Sequence, residues 1–192
     1  MNRFIIANTP REIAQQQCDK HVVKMPLEEA QMLSTVHRLL DGIQETRPSK
    51  SGKRQVKYWK HPIDQYEQYL YKAVHMNHPC TKWAMETRGN YLWAYELFIE
   101  MCNEYTHRYG KVHLSEQKLK DLLRFPPNNI GQDTSITQMP LAMGSNPECI
   151  DTNDVIGSYR AYYKTKQARF DLVWTKRETP NWWSEDGKHE II

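Results

Sequence analysis

Gln17-Cys18-Asp19-Lys20-His21-Val22-Val23-Lys24-Met25-Pro26-Leu27-Glu28-Glu29-Ala30-Gln31-Met32-Leu33-Ser34-Thr35-Val36-His37-Arg38 decides how this chain is read. Wound as one helix, it sets Gln17, His21, Lys24, Glu28, Gln31, Thr35 and Arg38 at steps of three and four along one face. Val22, Met25, Leu33, Val36 and Leu40 fall opposite. One carboxylate among cations and amides describes a solvated surface, and it equally describes the floor of an active site. Glu29 is a rival to Glu28, because a straight helix turns it toward the apolar side, where burial raises a carboxyl pKa.

Outward from this stretch the pattern stays helical. Asn2 to Ile6 reads as a small strand or an extended arm. Thr9-Pro10-Arg11-Glu12 carries a capping box with Pro at the first helical position. The helix it starts is predicted to run to about Leu40, with a kink or break just before Pro26. Asp41-Gly42 ends it. Thr46 to Lys57 lacks apolar periodicity and reads as a loop, and Arg47, Lys50, Lys53, Arg54 and Lys57 concentrate positive charge there. Further helices are predicted from His61 to about His75, from about Thr81 to Arg108, from Ser115 (as cap) to Arg124, and from Asp151 to about Lys176. Phe125 to Glu148 reads as a long irregular connection of the kind that carries function or stays partly disordered. Residues 184–192 read as a loose tail after a single domain over 1–183. The fold class expected is all-α, one compact helical domain with long loops.

Composition narrows the function classes. The 192 residues suffice for one real core. Mean hydropathy is −0.81, and no apolar run spans a bilayer, so a cytoplasmic protein without a membrane partner is expected. Four scattered cysteines read as reduced thiols. Net charge is only +3, so clustering matters more than the total. Lys176-Arg177 beside Trp182-Trp183, together with the basic loop, is a pattern that grips phosphates and stacks a base. The same tryptophans would equally seal a core edge. Cys18-x-x-His21 and His75-x-x-His78-x-Cys80 match no closed zinc pattern, and His78 before Pro79 fits a helix cap, so no metal is expected. No small-molecule cofactor motif is present.

These pieces, in their order, resemble the pyrimidine-dimer DNA glycosylase family, the endonuclease V-like enzymes of phages. Asn2-Arg3-Phe4-Ile5 resembles the family's opening Thr-Arg-Ile-Asn. Ala14 to His21, then Glu28 and Val36-His37-Arg38, resemble its first helix with its Gln-His pair and catalytic Glu. Ser51-Gly52-Lys53-Arg54 resembles its basic loop, Asn77-His78 its Gly-His, and Thr179-Pro180-Asn181-Trp182 its closing Pro-Thr-Trp. Asp19-Lys20-His21-Val22-Val23-Lys24-Met25 is similar to a run in phage proteins carrying the same label.

The resemblance implies a monomeric enzyme that binds duplex DNA, flips out a damaged pyrimidine, attacks C1′ with the chain's α-amine and cuts by β-elimination. An α-amine titrates near ~7.7 against ~10.4 for lysine, which suits that attack at neutral pH. By position Glu28 stabilises the sugar cation, residue 2 (Asn2) supplies the amine, Lys24 is the fallback amine and His21 stands in the same group. Arg3, Lys24, Arg38, Lys53 and Arg54 hold phosphates, and Lys57, His78, Lys176, Arg177 and Trp182 complete the expected DNA surface. One departure stands out: the family has Thr where this chain has Asn2, a residue before which the initiator Met is usually kept. Two other readings share these residues, a phage enzyme acting on hypermodified pyrimidines and a non-catalytic nucleic-acid-binding protein.

Overall fold

Helix α1 (Pro10–Gln16) begins where the sequence places it. Thr9 Oγ1 accepts from the Glu12 amide at 3.3 Å, and the Glu12 carboxylate accepts from the Thr9 amide at 3.1 Å. The single long helix expected next is in fact two, because the chain breaks at Gln17–Cys18 and restarts as α2 (Asp19–Asp41). Both linking residues are extended, and the amides freed there find tertiary acceptors. Cys18 N–H donates to the Tyr163 hydroxyl at 2.9 Å and Asp19 N–H to the Val173 carbonyl at 2.8 Å. Pro26 does not break α2. The proline costs one helical hydrogen bond, but Val22, Met25, Pro26 and Ala30 are all buried, and that packing keeps the helix intact through it.

The computed structural model describes residues 2–184; the expected tail otherwise falls on 185–192, outside the described residues. Eight α-helices and one two-stranded sheet make up the regular structure among them. The arm Asn2–Ala7 is irregular, with Ile6 N–H donating to Phe4 O at 3.1 Å, and is wholly buried. Helix α4 (Pro79–Glu86) and α5 (Arg88–Tyr109) replace one predicted helix. The break comes at Thr87, which is extended and caps α5 through a 2.9 Å bond from the Asn90 amide. Two residues on, Gly89 lies so close to the loop that a Cβ would stand 2.2 Å from the Thr134 carbonyl oxygen. Gly110 ends α5 in the left-handed region, at φ 65°.

The basic stretch is a turn only over 49–54 and is strand on either side, so the fold is mainly helical with one small hairpin rather than all-α. Strands β1 (Ile43–Pro48) and β2 (Gln55–Lys60) pair antiparallel, with Ile43 opposite Lys60 and Pro48 opposite Gln55. The alternation that marks a strand is carried by polar residues. Glu45 and Arg47 stand on the more covered face with Val56 and Tyr58, and the Arg47 guanidinium lies 3.5 Å from the Tyr58 ring centre. Periodicity sought in apolar residues therefore misses it.

Helix α3 (Asp64–Tyr69) stops six residues short of the expected His75, and Arg38 explains the stop. Its guanidinium spends all five N–H groups. Nε donates to the Tyr71 carbonyl (2.7 Å), Nη1 to Trp59 O (2.8 Å) and the Glu67 carboxylate (2.7 Å), and Nη2 to Glu67 O (3.1 Å) and Leu70 O (3.0 Å). The helix C-terminus is capped by a side chain from α2 and cannot extend. Burial would raise Glu67, but bonds from Tyr58, the His61 amide and Arg38 outweigh it and hold its pKa near about 2.

Helix α6 (Leu114–Leu123) is capped by His113, whose Nδ1 accepts from the Ser115 amide at 3.1 Å, and not by Ser115. Phe125 to Glu148 is irregular as expected until a short 3₁₀ turn at Pro147–Cys149, and it is tied down. Asn90 and Thr137 bond reciprocally at 2.8 and 2.9 Å, and Asp41 accepts from the Asn128 and Asn129 amides at 2.8 and 2.9 Å. The last predicted helix shortens to α7 (Val155–Lys164), with a 3₁₀ turn at Thr165–Ala168; α8 (Asn181–Ser184) follows an irregular run. That run docks on the α1–α2 junction, where Thr175 donates twice to Asp19 (3.0 and 2.6 Å) and Trp174 Nε1 to Gln16 O (2.8 Å). Two apolar clusters result. One joins the arm and α1 to α7 and the C-terminal tryptophans; the other joins α2 to α4, α5 and α6.

Arg38→Lys keeps the charge but offers three donors for five acceptors. It is expected to lower stability by about 3 kcal/mol in urea unfolding, with the denaturant slope unchanged. A midpoint equal to that of the parent protein would contradict the role given to Arg38.

Candidate active site

The expected polar face of α2 exists, but it is covered. Gln17, His21, Glu28, Thr35 and Arg38 are buried, Gln31 is partly so, and Lys24 alone is exposed. What lies over the middle of that face is the N-terminal arm. Its anchor is Arg3, which is 1% exposed and bonds Glu29 through both Nε (3.0 Å to Oε2) and Nη2. Arg3 Nη1 also donates to Cys80 O at 3.3 Å, and its guanidinium lies 5.1 Å from the Trp83 ring centre. The choice between the two glutamates is thereby made on position. Glu29 is the buried counterion of Arg3, which leaves Glu28 as the carboxylate with an outlet.

Asn2 is held just as closely. Its Nδ2 donates to Ala142 O at 3.0 Å, and its Oδ1 accepts from the Arg3 amide at 2.7 Å and faces Cys80 Sγ at 3.8 Å. With the side chain fixed, the backbone nitrogen of Asn2 points at Glu28, donating to Oε2 at 3.2 Å. On the other oxygen, Lys24 Nζ stands 2.8 Å from Oε1. Lys24 is 60% exposed and the Glu28 side chain 10%, so the carboxylate opens outward beside Lys24. Of the four expected catalytic residues, Asn2, Lys24 and Glu28 meet around one carboxylate. Such a group can stabilise a developing cation and relay a proton to or from an adjacent amine.

His21 has a different environment. Its ring stacks on Phe4 (4.7 Å between centres) and meets Tyr163 and Phe170 edge-on. The Tyr163 hydroxyl, already accepting from Cys18 N–H, lies 2.6 Å from His21 Nδ1 and so donates to it. Burial, with Lys24 and Lys166 adding, pushes its pKa down to about 3. As a proton-transfer group at neutral pH it is corrected to a packed, neutral imidazole.

The expected DNA surface divides. Lys53, Arg54 and Lys57 are exposed on the hairpin, and Lys176 is exposed after α7. Arg3 and Arg38 are corrected, since both guanidiniums are buried on internal acceptors and cannot reach a phosphate. Arg177 forks onto Glu104 (Nε 3.0 Å, Nη2 2.7 Å). Trp182 is 8% exposed, donates to Gln16 Oε1 at 2.6 Å and packs edge-on to Tyr163, so it seals the core and is no stacking platform. His78 caps α4, with Nδ1 accepting from the Cys80 amide at 3.2 Å. The two cysteine–histidine groups do not assemble into a metal-holding set among the described residues. A cleft of about 690 Å³ between Gln15, Arg160, Lys176 and Thr179 shares no residue with the Glu28 group.

Sequence reading missed Cys80, Ala142 and Tyr163, which fix the arm and His21. Only the length of the 125–148 connection signalled that a loop would close the site. No family model, curated protein or solved structure matches this chain.

A histidine with its pKa depressed to about 3 binds no proton in the folded state where the unfolded one, near 6.5, does. Its contribution to stability is whole above pH 6.5 and is lost as pH falls toward 3. The His21 ring is therefore expected to show no titration by ¹⁵N NMR between pH 7.5 and 5. A midpoint above pH 5.5 would contradict the buried, neutral assignment.

Proposed function

We propose that this chain is an endonuclease V-like DNA glycosylase acting on damaged or modified pyrimidines in duplex DNA. The observation carrying the reading is the Glu28 carboxylate flanked by the Asn2 nitrogen at 3.2 Å and Lys24 Nζ at 2.8 Å. The resemblance of the arm, helix and basic hairpin to that family adds to it, and the exposed Lys53, Arg54 and Lys57 supply a phosphate-facing charge cluster.

In this scheme the base leaves with the electrons of the C1′–N bond, and Glu28 stabilises the cation left on the sugar. An amine then adds at C1′, the sugar ring opens to an imine, and loss of a C2′ proton expels the 3′ phosphate. Two nitrogens flank Glu28 and are the candidates for the addition. The Asn2 nitrogen is an α-amine only in chains from which Met1 has been removed; Lys24 is an amine in every chain. Arg3 and Arg38 serve the fold, so phosphate contact falls to Lys24, the hairpin and Lys176.

Ultraviolet-irradiated duplex is the first substrate to test. The parent protein is expected to generate abasic sites, and Glu28→Gln to lose about a hundredfold or more of that activity while binding DNA as before. Full activity in Glu28→Gln, or no base release from any damaged or modified pyrimidine, would overturn the proposal. Lys53→Ala with Arg54→Ala is expected to leave the chemistry intact and reduce the salt dependence of binding by about one counterion per residue.

A further inference from the structure

Helix α2 ends beside a second group of polar side chains that the Glu28 site does not use. His37, Asp41 and His61 offer ligand atoms all within 4.8 Å of one another. They come from α2 and from the residue directly after β2. Both histidines are 2% exposed, and His37 Nδ1 and His61 Nε2 have no hydrogen-bond partner. Buried polar atoms are rarely left so, and two facing one carboxylate point to something between them.

The protonation of His37 follows from its neighbours. Tyr91 OH donates to the Leu123 carbonyl at 2.9 Å, so its oxygen accepts from His37 Nε2–H at 2.8 Å. The hydrogen is thus on Nε2, and Nδ1 presents a bare lone pair. Phe125 lies near the ring, outside hydrogen-bond geometry. A ligand histidine oriented through its other nitrogen is the usual arrangement of metal sites. His61 is clamped by stacking on Tyr66, at 4.8 Å and 16°. Asp41 already accepts from the Asn128 and Asn129 amides, and each of its oxygens keeps a further lone pair.

We propose that His37 Nδ1, His61 Nε2 and the Asp41 carboxylate bind one divalent ion of the zinc class. Two imidazoles and a carboxylate suit zinc, with a fourth position left for water. An ion about 2.1 Å from each ligand atom draws the three to roughly 3.4 Å apart, a small closure of the present group. One tautomer must change. His61 Nδ1 now accepts from the Ile63 amide at 3.2 Å, which leaves its hydrogen on Nε2. On binding, that hydrogen moves to Nδ1, the Ile63 contact is given up, and no net proton is released. The bound ion ties the base of the hairpin and, through Asp41, the Asn128–Asn129 turn to the end of α2. The inference is independent of the glycosylase reading.

The full chain, stripped with chelator and desalted, is titrated with Zn²⁺ by calorimetry and with Co²⁺ by visible absorption. Uptake of one ion per chain with a four-coordinate cobalt spectrum is expected. His61→Gln and Asp41→Asn each weaken uptake by tenfold or more, and Tyr91→Phe, which removes only the group orienting His37, weakens it by about tenfold. Circular dichroism of each metal-free variant checks that it is folded; if His61→Gln is not, Asp41→Asn and Tyr91→Phe decide. No stoichiometric uptake by the parent chain, or uptake unchanged in the folded variants, would overturn the site.

Discussion

The buried pair of Arg3 and Glu29 fixes what surrounds it. A fully desolvated guanidinium is tolerated only with its charge matched and its N–H groups bonded, and Glu29, Cys80 O and the Trp83 face supply that. Because Arg3 can settle nowhere else, the arm is pinned to α2 in one register. Asn2 then falls beside Ala142 and Cys80, and its backbone nitrogen lands on Glu28. The geometry proposed as catalytic is thus a consequence of an ion pair one residue away in each partner, Arg3 next to Asn2 and Glu29 next to Glu28.

Arg38 does the same for the other end of α2. It ends α3, holds the Trp59 carbonyl of β2 and places Glu67 within reach of Tyr58 and the His61 amide. Two buried arginines therefore organise two regions, the arm with its carboxylate and the hairpin with its exposed cations. Both are interior residues of a kind a composition count assigns to the surface.

That contrast explains what could be read from the sequence. The capping box at Thr9, the end of α5 near Arg108 and the irregular 125–148 connection were legible, because each depends on residues a few positions apart. The α2 periodicity put Glu28 and Lys24 on one side, as their 2.8 Å contact shows. It could not say that the arm covers Glu28 or that α3 and β2 cover Arg38, so the phosphate roles that the resemblance implied for Arg3 and Arg38 could not be checked against burial. The break at Gln17–Cys18 depends on Tyr163 and Val173, far along the chain. The early end of α3 depends on Arg38, and the hairpin hides its alternation in Glu45, Arg47 and Tyr58. At Gln17–Cys18 and at the end of α3 a distant partner overrode local propensity. His21 illustrates the same limit in chemistry, since only its packing against Phe4, Tyr163 and Phe170 makes it a neutral ring.

The central claim is that Glu28 serves an amine placed against it by the Arg3–Glu29 anchor. Borohydride trapping on duplex DNA carrying a damaged pyrimidine or an abasic site, followed by peptide mapping of the adduct, tests it most directly. The account predicts a single cross-link, on the N-terminal peptide in chains lacking Met1 or on Lys24, that Arg3→Met strongly diminishes in protein still folded. An adduct on a lysine remote from Glu28, or a cross-link untouched by loss of the Arg3 anchor, would contradict it.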